Sequence, residues 1–320
     1  MKFPHFSAKI LLFGEYAIVL GGTGLAGPLA AYSGSFCYAQ PTVRHAPHIA
    51  QSQESLLSLA AHWQGRHLSF DFNAQELLND VRHGLFFSSD IPQGYGVGSS
   101  GALVAAIYDR YVGKSDSKAG TPLSLGALKA ELAILESFFH GQSSGVDPLI
   151  SYLNRPLLLL SASEVQPVVL PQYNESSKNA LHEGARSGGI VLFLYDTKMV
   201  RKTAPLVAWF MQHCKDDKSF ETLCSQQLTD LNNACISAFL EQKSDILLSK
   251  WAQLSAFQLQ YLRPLIPDNM REIWQNGLHT EKYFLKLCGA GGGGFMLGIC
   301  TDWGATIAQL GQENVQLLTL

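Results

Sequence analysis

Short apolar stretches bounded by glycines occur near both ends of the chain, and this pattern predicts strands there. Near the N-terminus, strands are expected at residues 10–13 and 16–20, before a tight turn at 21–24. Near the C-terminus, residues 282–287 and 295–300 are predicted to be two strands that flank a run of glycines. Both ends therefore indicate sheet structure.

Between these ends, apolar residues recur every three or four positions, which is typical of amphipathic helices. In one of them Leu128, Leu132 and Leu135 share a face, while Ser124 can cap the start and Gly141 can end the helix. Helices are expected at residues 74–86, 102–111, 125–140, 220–240 and 246–262, and further strands at 67–72, 156–160, 165–170 and 190–195.

This mixture of helices and strands predicts an α+β protein. A chain of 320 residues is long enough for two hydrophobic cores. The polar segment 172–189 is the best candidate for a linker between them. We therefore expect two domains, at residues 1–185 and 186–320.

The composition narrows the class of protein. Only 15% of the residues are charged and the net charge is −3, so nucleic acid is not expected as the main partner, because a phosphate backbone demands dense positive charge. No signal peptide and no membrane span is expected. Six cysteines without metal-ligand spacing suit a reducing compartment, so a cytoplasmic location is predicted.

Residues 92–103 carry the strongest chemical signal. Gly94, Gly96 and Gly98 alternate in a loop that Ser99 and Ser100 join to a predicted helix. Such a loop can turn its backbone N–H groups inward, and a helix start adds unpaired donors and partial positive charge. The segment predicts a phosphate cradle, with a serine-capped turn as the alternative.

Two common nucleotide-binding motifs do not account for this loop. The segment 96–101 fits the dinucleotide pattern GxGxxG, but Pro92 interrupts the approach where a strand is required, and the acidic residue expected about 20 positions on is not at a strand end. No GxxxxGK[ST] sequence occurs anywhere in the chain. A nucleotide, if bound, must therefore be held by another scaffold.

A second glycine loop and two isolated charged residues are the remaining candidates for a functional site. Residues 289–294 contain nothing larger than alanine, so the backbone there can approach a ligand or another loop closely. Asp147 stands alone in an uncharged segment and Lys9 alone before an apolar strand. A partly buried lone charge needs a counter-charge or a metal, although a turn aspartate and a strand-edge lysine are the simpler alternatives.

Four segments, in this order, resemble the GHMP small-molecule kinases, and within them the mevalonate kinases. They are SAKILLFGEYAIV from Ser7, PQGYGVGSSGA from Pro92, Glu136 with HGQSSGVD ending at Asp147, and KLCGAGGGG from Lys286. The resemblance covers both halves of the chain. It implies an N-terminal domain like domain 2 of ribosomal protein S5, a C-terminal ferredoxin-like α/β sandwich, and an active site in the cleft between them.

The resemblance also implies roles for individual residues. Asp147 would take or orient the proton of the acceptor hydroxyl, Lys9 would stabilise the developing charge, and Ser100 and Glu136 would hold Mg²⁺. The positions assigned to the ATP phosphates are Gly94, Gly96, Val97, Gly98, Ser99, Ser100 and Gly101. Those assigned to the acceptor are Glu15, Tyr16, Thr203, Gly291 and Gly292.

Three departures from the family pattern concern the acceptor more than the nucleotide. Tyr16 stands where mevalonate kinases usually carry histidine, residues 142–144 are Gln-Ser-Ser instead of a Thr-Pro-Ser or Asn-Pro-Ser type sequence, and Gly101 replaces alanine. Tyrosine keeps a hydroxyl but is larger and does not titrate near neutrality.

The expected function is ATP- and Mg²⁺-dependent phosphorylation of a small alcohol, with mevalonate, an isoprenoid precursor, as the preferred acceptor. The alternatives are another acceptor, such as phosphomevalonate or a sugar, a non-catalytic relative that binds nucleotide, and an NAD-dependent oxidoreductase. Many relatives are dimers, so a homodimer is an open alternative.

Overall fold

The computed structural model describes residues 2–40, 46–113, 123–161, 163–173, 189–201 and 203–319. The chain divides into two compact units, and each is assembled from separate segments. The first unit consists of residues 1–9, 28–92 and 98–155, and the second of residues 10–27, 93–97 and 156–320. The chain passes between them within its first two strands, at both ends of segment 93–97, and between residues 155 and 156. The predicted boundary at residue 185 lies outside the described residues and stays a prediction.

The described residues of the first unit form strands and five helices. Strand β1 (Phe6–Phe13) begins here, and the second half of β2 (Gly24–Tyr38) pairs antiparallel with β3 (Leu85–Ser89), Phe36 opposite Phe87. The helices are α1 (Pro47–Trp63), α2 (Ala74–Arg82), α3 (Ser99–Tyr111), α4 (Leu125–His140) and α5 (Val146–Leu153).

Helices α3, α4 and α5 pack together because small residues line α3. Ala102, Ala105 and Ala106 are buried, and a Cβ added at Gly101 would lie 2.8 Å from the carbonyl carbon of Asp147 at the start of α5. The close approach fixes the two helix starts relative to each other. The predicted ends of α4 are confirmed: Ser124 accepts the Ala127 N–H, and the chain leaves the helix at Gly141 with φ +73°.

The second unit contains two sheet regions. The first half of β2 pairs with β4 (Leu157–Leu159), which pairs with β5 (Val165–Pro167). An antiparallel four-stranded sheet has the order β7-β8-β6-β9, from β6 (Val191–Asp196), β7 (Tyr283–Leu287), β8 (Phe295–Cys300) and β9 (Val315–Leu317). The helices are α6 (Thr203–Asp216), α7 (Lys218–Leu223), α8 (Thr229–Leu240), α9 (Ser244–Tyr261), α10 (Asp268–Thr280) and α11 (Trp303–Leu310).

Strands β7 and β8 position the second glycine loop. Every residue of both strands is buried, as continuous apolar runs predict for strands covered on both faces. Leu287 pairs with Met296, so residues 288–294 form the connection between two adjacent antiparallel strands. The predicted strand, glycine loop and strand are confirmed here.

Several predicted elements were wrong for local reasons. Residues 16–20 are a turn followed by the 3₁₀ helix Ile18–Leu20, because Gly14 and Tyr16 take positive φ angles of +119° and +62° that no strand allows. Residues 67–72 form no strand, and only Phe72 makes a bridge, to Val112. The helix from Ala74 ends at Arg82, since Gly84 turns the chain into β3. Within 220–240, a π-helical turn interrupts the helix at Cys224–Leu228.

Within the part of the chain that the structure describes, no helix is both long and apolar enough to cross a membrane.

Candidate functional site

In the first unit, no side chain caps the N-terminus of α3. Gly98 caps the helix in the left-handed conformation (φ +77°), and no side chain occupies the cap. Ser99 and Ser100 form the first turn, and both are only partly buried. The first backbone N–H groups of a helix lack partners within it, so this end carries donors and partial positive charge.

Lys9 and Asp147 meet directly beside this helix start. The Lys9 ammonium lies 2.9 Å from an Asp147 carboxylate oxygen, and their side chains are 12% and 32% exposed. A Cβ at Gly98 would lie 2.8 Å from Lys9 Cγ and 3.6 Å from the second Asp147 oxygen. The absence of a side chain at Gly98 therefore lets the pair and the helix start share one small space.

Glu136 forms the second acidic position of the first unit. Its side chain is buried on α4 and accepts hydrogen bonds from the Ser100 hydroxyl (3.1 Å) and the Ser143 hydroxyl (2.5 Å). The His140 ring nitrogen lies 3.0 Å from the Ser100 hydroxyl. Burial and the nearby Asp147 charge raise the pKa of Glu136 to about 7, although both serines and Lys9 oppose the shift. The positive charge near the Glu136 carboxylate therefore does not compensate for its burial and for the Asp147 charge.

In the second unit, Arg201 joins the two glycine segments. Its guanidinium donates to the carbonyls of Cys288 (3.1 Å) and Gly291 (2.9 Å). Its backbone N–H donates to Gly94, and a Cβ at Gly96 would collide with the guanidinium. Glycine at position 96 is therefore required by a cation as well as by its φ of +73°.

Val97 and the end of the second loop complete this junction. Val97 is buried, and the Gly294 N–H donates to the Met199 carbonyl at 2.7 Å. A Cβ at Gly294 would meet the Tyr95 carbonyl oxygen at 2.5 Å. The two glycine segments of this unit therefore pack backbone against backbone.

Glu15 is fully buried next to Lys286. The ammonium of Lys286 lies 2.5 Å from a Glu15 oxygen and donates to the Leu287 carbonyl at 2.7 Å. Burial raises the pKa of Glu15, against the opposing effects of the Lys286 charge and of hydrogen bonds that include one from the Gly289 backbone. The rings of Phe13 and Trp251 flank the ammonium at 5.5 and 5.8 Å.

Tyr16 and the other predicted acceptor positions have different surroundings. The Tyr16 hydroxyl donates to the Ala290 carbonyl at 2.6 Å, and its ring packs against Phe210. Gly292 donates its N–H to Leu265 (2.7 Å), and Thr203 is exposed at the start of α6. That these residues contact an acceptor stays a prediction.

Four residues of these clusters were not predicted as site residues: His140, Ser143, Arg201 and Lys286. Arg201 and Lys286 are charged residues in otherwise apolar or small-residue surroundings, and a buried charge must find a partner. That signal was available for Lys286, which interrupts the apolar run of β7. The partners themselves lie far away in sequence, so no spacing rule could name them.

No family model and no curated protein sequence matches the chain. Solved structures do. Mevalonate kinase from L. major, in complex with R-mevalonate, has a TM-score of 0.61 at 14% identity, covering 99% of this chain and 95% of that one. Streptococcus pneumoniae phosphomevalonate kinase, in complex with phosphomevalonate and AMPPNP, has a TM-score of 0.56 at 15% identity, covering 100% and 99%. Lactococcus lactis galactokinase, complexed with galactose, has a TM-score of 0.58 at 11% identity, covering 100% and 94%.

These similarities define a class by its fold. The chain has the two-domain α+β fold of the GHMP small-molecule kinases, as the sequence motifs predicted. The resemblance to mevalonate kinases is confirmed at the level of the fold, since those structures are among the full-length matches. At such low identity the acceptor is a separate question.

Proposed function

We propose that this protein transfers the γ-phosphoryl group of ATP to the hydroxyl of a small alcohol, with mevalonate as the preferred acceptor. The observation that supports this function best is the Lys9–Asp147 pair, 2.9 Å apart, beside the Gly98 cap of α3. An anion cradle, a carboxylate and a cation stand together there, and phosphoryl transfer needs alignment and counter-charge more than covalent chemistry.

Each of the three groups has a distinct role in this proposal. The N–H groups from Gly98 to Ser100 bind phosphate oxygens. Asp147, still 32% exposed, orients the acceptor hydroxyl and accepts its proton. Lys9 pairs with Asp147 and offsets the negative charge that builds up on the transferred group.

Mg²⁺ fits the donor set around Glu136. Ser100 and Glu136 offer oxygen ligands that lie 3.1 Å apart, and the raised pKa of Glu136 marks a buried carboxylate that a cation would stabilise. Among the described residues, no group of three or more His, Cys, Asp or Glu side chains could hold a metal by itself. Mg²⁺ in kinases commonly shares its ligands with substrate phosphates, whose charge it offsets.

A panel of acceptors tests the function. ADP release would be measured with ATP, Mg²⁺ and, in turn, mevalonate, phosphomevalonate, homoserine and galactose. We expect turnover with mevalonate well above the acceptor-free rate. Turnover with another member of the panel alone would support the kinase activity and show that mevalonate is not the preferred acceptor.

The same panel distinguishes a kinase from a non-catalytic relative that only binds nucleotide. ATP binding by calorimetry without ADP from any acceptor would favour a nucleotide-binding protein and contradict the proposal. The Lys9–Asp147 pair argues for catalysis, because a pure binder has no use for a proton-accepting group beside the phosphate cradle.

A further inference from the structure

Side chains of the second unit donate hydrogen bonds to several backbone carbonyls of the second glycine loop. The carbonyls of Cys288 and Gly291 accept from Arg201, at 3.1 and 2.9 Å. The Ala290 carbonyl accepts from the Tyr16 hydroxyl at 2.6 Å, and Lys286, which is paired with Glu15, donates to the Leu287 carbonyl at 2.7 Å. Side chains outside the loop therefore hold the peptide groups 288–289, 290–291 and 291–292.

The side chains that do this are themselves held in place. Glu15, Tyr16 and Arg201 are 3%, 6% and 9% exposed. Lys286 neutralises Glu15, and Phe210 packs against the Tyr16 ring with centroids 4.4 Å apart. Tyr16 also has a left-handed backbone (φ +62°), a conformation that non-glycine residues adopt only where their surroundings impose it.

Glycine peptides are the ones that most need such control. Gly289, Gly291 and Gly292 all have positive φ, and glycine visits many backbone conformations at similar energy. If the Ala290–Gly291 peptide turned over, a carbonyl oxygen would point where an N–H had pointed. A carbonyl repels phosphate and an N–H attracts it, so the orientation decides whether the loop can face an anion.

We propose that Glu15 and Tyr16 are positioning residues, which fix the peptide orientation of loop 288–291 for phosphoryl transfer, and that they are not ligands of the acceptor. The proposal rests on the kinase function proposed above. It follows from the bonds that these two side chains already make: the carboxylate is paired with Lys286, which donates to the Leu287 carbonyl, and the hydroxyl donates to Ala290.

The substitution Tyr16→Phe removes one hydroxyl and leaves the ring. We expect amide hydrogen exchange across residues 288–292 to become about 10-fold faster, the equivalent of one lost hydrogen bond. In the same variant kcat should fall about 10-fold, while the KM for the acceptor stays within about 2-fold. Mass spectrometry of peptides that cover the loop measures the first effect, and steady-state kinetics the others.

Tyr283→Phe is the matched control. Tyr283 is 1% exposed and donates to the Ile273 carbonyl at 2.7 Å, a similar bond in the same unit that does not involve the loop. Its loss should leave exchange at 288–292 and kcat unchanged.

A double variant tests the Glu15 half independently. Glu15→Met with Lys286→Met replaces a buried ion pair by apolar side chains of similar size, a change that proteins often tolerate. The Leu287 carbonyl then loses its Lys286 donor, so faster exchange is expected at Cys288, whose N–H belongs to the same peptide.

Unchanged loop exchange in both variants would overturn the proposal, as would a raised acceptor KM with unchanged kcat in Tyr16→Phe, since an acceptor ligand would behave in that way. The exchange measurement needs no substrate. It therefore gives its answer even if no acceptor is phosphorylated, which would count against the proposed function and not against the control of the loop.

Discussion

At the scale of single residues, two lysine–carboxylate pairs differ in burial, and this difference separates a pair that can react from a pair that only supports the fold. Lys9 and Asp147 are 12% and 32% exposed, whereas Lys286 and Glu15 are 0% and 1% exposed. A pair that retains access to solvent can receive a substrate and exchange a proton. A pair closed off from water can do neither, so it serves to hold other groups in place.

Asp147→Asn should abolish most turnover and leave ATP binding nearly intact. The amide cannot accept the proton of the acceptor hydroxyl, so we expect kcat to fall on the order of 10²- to 10⁴-fold. Kinetics and calorimetry with ATP measure the two effects. Asp80→Asn is the matched control, because it removes another partly exposed ion pair of the first unit, with Arg110 at 2.7 Å. Normal turnover in Asp147→Asn would exclude the assigned role.

Glu136→Gln should lower the activity without lowering the stability of the protein. The amide can keep hydrogen bonds to Ser100 and Ser143 while removing a buried negative charge close to Asp147. We expect the melting temperature without ligand to stay the same or rise, and kcat to fall on the order of 10²-fold. Thermal denaturation and steady-state kinetics check both. A large loss of stability with full activity would show that Glu136 is structural.

At the scale of elements, the contact between α3 and α5 depends on one missing methyl group. A Cβ at Gly101 would lie 2.8–2.9 Å from backbone and side-chain atoms of Asp147 and Pro148. Overpacking costs about 1–3 kcal/mol, against a gain of up to about 1 kcal/mol in helix propensity. The cost of the clash should therefore exceed the gain in helix propensity.

Gly101→Ala should destabilise the protein by about 1–2 kcal/mol and displace Asp147, so kcat should fall as well. Urea denaturation and kinetics measure this, although alanine is the residue that the resembling kinases usually carry there. Gly304→Ala is the control. Its Cβ would meet only Asp302 at 3.6 Å, so stability should be unchanged or slightly higher. Equal behaviour of the two variants would refute the packing argument.

At the scale of the whole molecule, nucleotide binding should be visible as stability. A ligand that binds only the folded state at 100 times its Kd adds about 2.7 kcal/mol. We expect ATP with Mg²⁺ to raise the melting temperature by several degrees, and removal of Mg²⁺ with EDTA to reduce the shift. NAD is the matched control, because the dinucleotide alternative predicts the opposite ranking. A shift with NAD and none with ATP would contradict the kinase proposal.

Much of the architecture was predictable wherever a local signal was strong. The strands β6, β7 and β8 are continuous apolar runs, and α4 has both a periodic face and two end signals. The strand expected at 16–20 failed because a left-handed tyrosine is unusual and no local rule predicts one. The strand expected at 67–72 failed because its residues find a single bridge partner.

The sequence predicted individual residues of the candidate site, but it did not predict which of them lie in contact. Asp147, Lys9 and the glycines of 94–101 stood out as lone charges and a glycine pattern, and the motif order supplied the resemblance to the GHMP kinases. The roles proposed for Glu15 and Tyr16 were not readable, since their partners at 286 and 290 lie some 270 residues away.

The sequence by itself determined which chemical groups this protein has and which local elements carry them, because periodicity, caps and glycine patterns act over a few residues. Only the tertiary structure decided which charges remain accessible and which are sealed, as the two lysine–carboxylate pairs show. The physical reason is that burial and long-range hydrogen bonds depend on packing between distant segments, and no local pattern encodes that packing.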